Sequence, residues 1–91
     1  MMQHKHIQVC GTVQGVGFRH HTELIAKKLD IIGTVQNVED YVDIYAQGDE
    51  EQIKSFIDKV IAGASPASSV SDYSIEDLDV TNRYSEFKTI Y

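Results

Sequence analysis

Cysteine occurs once in this 91-residue sequence, proline once and tryptophan not at all. The lone Cys10 excludes an internal disulfide framework and fits a reducing compartment, so a cytoplasmic location is expected. Long apolar runs are missing too: none approaches the ~20 residues that span a bilayer, and no membrane partner is expected. Met1-Met2-Gln3-His4-Lys5-His6-Ile7 is polar and leads straight into a strand-like pattern, unlike a secretory leader. Basic residues are scarce, eight against fourteen acids, for a net charge of −6. A chain of that sign lacks the footprint of a nucleic-acid binder. What is present is an ordinary globular composition, 42% hydrophobic and 24% charged, with room for one domain spanning residues 1–91.

The charge is unevenly spread. Residues 1–38 carry Lys5, Arg19, Lys27 and Lys28 against Glu23 and Asp30, a surplus of +2. Residues 39–91 carry four basic residues against twelve acids, a deficit of −8. An anionic ligand should therefore dock in the N-terminal third.

Ile7, Val9 and Val13 alternate with Gln8, Cys10 and Thr12, which predicts a half-buried strand over residues 5–13. A glycine-punctuated loop follows at Gln14–Phe18, then a helical pattern over 19–29 with Leu24, Ile25 and Leu29 as its apolar side. Residues 32–38 and 41–47 read as two strands joined by a tight turn at Glu39-Asp40, with Val42, Ile44 and Ala46 on one face. Ile53, Phe56, Ile57, Val60 and Ile61 form one stripe of an amphipathic helix. Asp49, Glu50 and Glu51 favour its N-terminus, and Gly63 and Pro66 end it. Ser69–Ile75 and Glu86–Tyr91 complete the pattern as strands. The order β-α-β-β-α-β, with a short extra strand at the C-terminus, predicts an α+β fold of the ferredoxin-like, split βαβ kind. Its sheet is mostly antiparallel and carries both helices on one face.

That fold hosts many activities, so function has to be sought in a site. Gly11-Thr12-Val13-Gln14-Gly15-Val16-Gly17-Phe18-Arg19 places two glycines in a loop and an arginine at the mouth of a helix. Glycines let successive N–H groups face one centre, the arrangement of an anion-binding nest, and the helix dipole adds to it. Arg19 offers a planar fork for two oxygens of one phosphate. A Walker loop is excluded by spacing and by the absence of its lysine, and a dinucleotide fingerprint fails at His20. Gly15-Val16-Gly17-Phe18 faintly suggests an RNA-recognition strand, but it lies in a loop of an acidic chain. From spacing alone a second reading stays open, in which the glycines serve only the turn and Arg19 is a solvated surface residue.

The sequence resembles the acylphosphatase family over nearly its whole length. Gly11–Arg19 is similar to that family's first signature, and Gly33-Thr34-Val35-Gln36-Asn37 to its second. Ala26-Lys27-Lys28-Leu29, Ala64-Ser65-Pro66 and Tyr84-Ser85-Glu86-Phe87 extend the match. The resemblance implies a monomer that hydrolyses acyl phosphates to a carboxylate and inorganic phosphate, without metal, cofactor or covalent intermediate. It implies that Arg19 binds the phosphoryl group and that the backbone N–H groups of Gly15, Val16, Gly17, Phe18 and Arg19 cradle it. It implies that Asn37 positions the attacking water, and that inorganic phosphate binds as product and inhibitor. Alternatives are a non-catalytic anion-binding module, or a carbamoyl-phosphate-handling domain such as the one that begins the hydrogenase-maturation carbamoyltransferase.

Three positions depart from the family pattern. Thr34 stands where tryptophan is frequent, Asp30 where a glycine closes the first helix, and Lys88-Thr89-Ile90 where an isoleucine-arginine pair precedes the final tyrosine. His4 and His6 share one strand face but lack a third ligand for a metal. His21 is expected to pack near the cradle, and Cys10 to lie on the outer face of its strand with no histidine beside it in sequence to activate it. The five tyrosines read as sheet and rim residues.

Overall fold

Alternation along the first strand decides which face of the sheet is wet. A computed structural model describes residues 1–91 and resolves seven elements. They are β1 (Met2–Thr12), α1 (Phe18–Lys28), β2 (Ile32–Val38), β3 (Tyr41–Asp49), α2 (Glu50–Ile61), β4 (Ser69–Leu78) and β5 (Phe87–Ile90). The strands lie in the order β4-β1-β3-β2-β5. All neighbours are antiparallel except β2 and β5, which run parallel at one edge. The expected ferredoxin-like fold is thus present, with β1 starting three residues earlier and β4 ending three residues later than the pattern suggested.

Ile7, Val9, Val35, Val42, Ile44 and Ala46 form the covered face of the sheet, each completely buried. Against it α2 sets Ile53, Phe56 and Val60, as its stripe predicts. Each such side chain removed from water contributes about 1.5–3 kcal/mol. Helix α1 departs from expectation. Its buried residues are Phe18, Thr22 and Ala26, while Ile25 and Leu29 are partly covered and Leu24 is 44% exposed. The small side chains at i+4 and i+8 form the row that faces the core, and this turns Leu24 to solvent.

Two left-handed residues punctuate the connections. Asp30 (φ 56°) follows the end of α1, where the family's glycine would stand, and Glu39 (φ 53°) forms the β2–β3 turn with Asp40. Gly33, in the second motif, has a structural reason of its own: a Cβ there would lie 1.8 Å from the Tyr45 carbonyl oxygen.

On the face away from the helices, residues 79–86 cross the sheet as a strap. His4, only 4% exposed, contacts the Asp79 carbonyl through Nδ1 (2.8 Å) and the Tyr84 hydroxyl through Nε2 (2.9 Å). Gln47 donates to the Thr81 carbonyl and accepts from the Thr81 N–H. His6 stacks on Tyr45 at 4.3 Å and approaches Asp43 at 2.5 Å. The histidines of the first strand thus serve to dock the strap and to bridge neighbouring strands. Cys10 is exposed, on the face opposite Ile7 and Val9.

Candidate active site

The β1–α1 loop is built around two left-handed glycines. Gly15 and Gly17 have φ values of 74° and 76°, while Val16 between them does not adopt positive φ. Alternation of this kind directs successive N–H groups to one side. None of the N–H groups of Gly15 to Arg19 donates to a backbone carbonyl, and the first bond of α1 runs from His21 N to Gly17 O at 3.0 Å. Five donors are therefore left for a ligand at a helix N-terminus, where an anion is favoured. His21 also donates from Nδ1 to the same Gly17 oxygen at 2.9 Å, in keeping with its expected place beside the loop. Gln14 Nε2 donates to the carbonyls of Glu39 and Tyr41, both at 3.0 Å, and so ties the loop to the β2–β3 turn.

Arg19 is the second residue of α1 and reaches across to the end of β5. Its Nη1 donates to the Ile90 carbonyl at 3.2 Å, and its guanidinium carbon lies 4.9 Å from the centre of the Tyr91 ring. The parallel register sets Ile90 opposite Gln36, so Tyr91 emerges beside Asn37. Asn37 shares the face of Gly33 and Val35, and its Oδ1 is buried with no hydrogen-bond partner in the protein. A buried acceptor left unpaired costs about 1–3 kcal/mol, which a water or ligand donor would relieve.

Arg19 and Asn37 meet in one concavity of about 120 Å³, lined also by Val13, Gly15, Gly17, Phe18, His20 and Tyr91. No Asp or Glu side chain lines it, and Arg19 supplies a permanent cation on its wall. Of the cradle residues expected from the sequence, Gly15, Gly17, Phe18 and Arg19 lie on its wall. Val16 instead packs its side chain against the core, leaving only its N–H to the loop. His20, Tyr91 and the Gln14 tether were not singled out as site residues by sequence. His20 simply follows Arg19, whereas Tyr91 is brought in by strand pairing far away in sequence.

The glycine loop, the unpaired amides and the Arg19–Asn37 juxtaposition can be set beside known proteins. The family model described as Acylphosphatase matches residues 5–89. The chain belongs to the acylphosphatase family. Among curated relatives, the acylphosphatase of Staphylococcus haemolyticus (strain JCSC1435) is 55% identical over 89 residues, covering 98% of this chain and all of the relative. The crystal structure of the acylphosphatase from Bacillus subtilis superposes with a TM-score of 0.90 at 38% identity, over the full length of both chains. Full-length HypF, in its phosphate- and nucleotide-bound form, matches at TM-score 0.91 and 30% identity. There this family's fold makes up only part of a larger protein, the match covering 12% of that chain.

Proposed function

We propose that this protein hydrolyses acyl phosphates to a carboxylate and inorganic phosphate by metal-independent attack of a positioned water. The observation that carries the reading is the meeting, in one small concavity, of the Arg19 guanidinium, the unpaired loop amides and the unpartnered Oδ1 of Asn37. Family membership supports the reaction class.

In this reading the phosphoryl oxygens sit among the N–H groups of Gly15 to Arg19, with the Arg19 fork on two of them. Water donates a hydrogen bond to Asn37 Oδ1, which aims its lone pair at phosphorus, while the Asn37 amide nitrogen donates to a phosphoryl oxygen. Attack forms the new P–O bond as the bond from phosphorus to the carboxyl oxygen breaks. The carboxylate leaves with the electron pair, and the water proton passes to phosphate or solvent. A carboxylate whose conjugate acid has a pKa near ~4 needs little help to leave. Positioning and charge stabilisation then suffice for a loose phosphoryl-transfer transition state. Inorganic phosphate, the product, competes for the same cradle. The enzyme acts as a monomer of one domain, residues 1–91, in the cytoplasm, a setting that the exposed free thiol of Cys10 fits.

Hydrolysis of benzoyl phosphate in ¹⁸O-labelled water with excess chelator tests both halves of this proposal. Turnover with label in inorganic phosphate is expected. Label in benzoate would mean attack at the carbonyl carbon, and loss of turnover restored by Mg²⁺ would contradict the metal-free mechanism.

A further inference from the structure

One turn along α1 from Arg19, the helix is fastened to the last strand a second time. Glu23 Oε1 accepts from the Thr89 N–H at 3.1 Å and from the Thr89 hydroxyl at 2.6 Å, while Oε2 accepts from Lys27 Nζ at 3.1 Å. The next residue, Ile90, gives its carbonyl to Arg19, and Tyr91 places its ring against the guanidinium. Strand β5 is an edge strand of four residues paired only with β2. An edge strand so short frays at its end unless something else holds it.

Glu23 also stands four residues after Arg19, the spacing at which a carboxylate and a guanidinium on a helix pair with each other. Here they do not: Arg19 pairs with no Asp or Glu side chain, and both oxygens of Glu23 are taken by Thr89 and Lys27. The hydrogen bond from the Thr89 hydroxyl, followed by that from Lys27, holds the Glu23 carboxyl below its ordinary titration range, so it is ionised at neutral pH. The same contacts therefore do two things. They hold the Thr89–Tyr91 segment against α1, and they keep the Glu23 charge off the guanidinium.

We propose that Glu23 and Thr89 are positioning residues for the phosphoryl site, fastening β5 to α1 so that Ile90 and Tyr91 hold the Arg19 guanidinium ready and unpaired with Glu23. The proposal rests on the reading of Arg19 as the phosphoryl ligand. Neither residue lines the concavity, so they act only through Arg19.

The test is titration of the full chain with inorganic phosphate at neutral pH, followed by NMR at the amides of Gly15–Arg19 and at the Arg19 Nε–H. Glu23→Ala, Glu23→Gln, Thr89→Val and Arg19→Ala are compared, each at a temperature where it is fully folded. Glu23→Ala should weaken phosphate binding about tenfold and broaden the Arg19 Nε–H signal, since displacing a binding group by ~1 Å costs up to a hundredfold. Glu23→Gln keeps an oxygen for Thr89 and should stay within about threefold of wild type, whereas Thr89→Val, which retains only the N–H bond, should fall between. Lower global stability alone moves none of these readings in folded protein. If Glu23→Ala and Thr89→Val bind phosphate as wild type does while Arg19→Ala does not, the positioning role is refuted and the phosphoryl reading stands. Should Glu23→Gln lose as much as Glu23→Ala, the hydrogen-bonded fastening is likewise refuted. If Arg19→Ala also binds normally, it is the reading of Arg19 that fails. Should Glu23→Ala not fold, Thr89→Val decides: an unchanged affinity overturns the proposal.

Discussion

At the scale of single residues, the proposed role of Arg19 depends on its geometry as much as on its charge. Arg19 is held at two points, by the Ile90 carbonyl and the Tyr91 ring, with the rest of its fork left for a ligand. Arg19→Ala should lower kcat/KM on benzoyl phosphate by roughly a hundred- to a thousandfold, the ~3–4 kcal/mol usual for one such transition-state donor. Arg19→Lys should restore little of it, because an ammonium cannot reproduce the bidentate fork. A lysine variant of near-normal activity would reduce Arg19 to a generic positive charge. Arg19 and Asn37 stand in the two stretches that resemble family signatures, whereas spacing alone left Arg19 open as a solvated surface residue. Tyr91 was not legible as a site residue, and the reason is physical. Its place beside Asn37 depends on a parallel pairing in which Gln36 faces Ile90, and no local pattern encodes that pairing.

At the scale of elements, α2 was readable and α1 only partly so. Bulky apolar residues at i, i+3 and i+7 mark the buried face of α2. In α1 the buried face is Phe18, Thr22 and Ala26, and beyond Phe18 its row is small, so bulk does not mark it, while the prominent Leu24 faces solvent. The end of α1 carries a further cost. Asp30 adopts φ 56°, a conformation that burdens an L-residue by ~1–2 kcal/mol, and it sets a negative charge near the negative end of the helix dipole. Glycine relieves both and gives back part of the gain as chain entropy. Asp30→Gly should therefore stabilise the protein by about 1 kcal/mol and raise Tm by about 4–8 °C, with kcat unchanged. A fall in Tm on thermal unfolding would show that Asp30 makes a stabilising contact.

At the scale of the whole molecule, the two faces of the sheet were unequally visible in the sequence. The helix-bearing face follows from alternation. The strap over the other face rests on His4 and Gln47, polar side chains buried by contacts with residues 79–84, which a hydrophobic pattern cannot reveal. The Glu23–Thr89 link ties the molecule together between distant segments and makes stability depend on pH. The folded pKa of Glu23 is lowered from its ordinary 4.5, chiefly by the Thr89 hydroxyl and then by Lys27. Its contribution is therefore fully present above 4.5 and is lost as the pH falls through the lower folded value. Urea midpoints of wild type and Glu23→Gln should accordingly converge as the pH is lowered from 7 towards 3. Curves that stay parallel would show that the carboxylate form of Glu23 adds nothing to folding.

In the proposed mechanism, binding the phosphoryl group and aiming the water are separate tasks of separate residues. Asn37→Ala separates them, because it removes the water's acceptor and leaves Arg19 and the five loop amides in place. The decisive measurement pairs kcat for benzoyl phosphate with the Kd for inorganic phosphate in that variant, folding verified by its NMR spectrum. We expect kcat to fall by about a hundredfold or more while Kd changes by no more than about threefold. A folded Asn37→Ala protein that keeps most of its kcat would contradict the assignment.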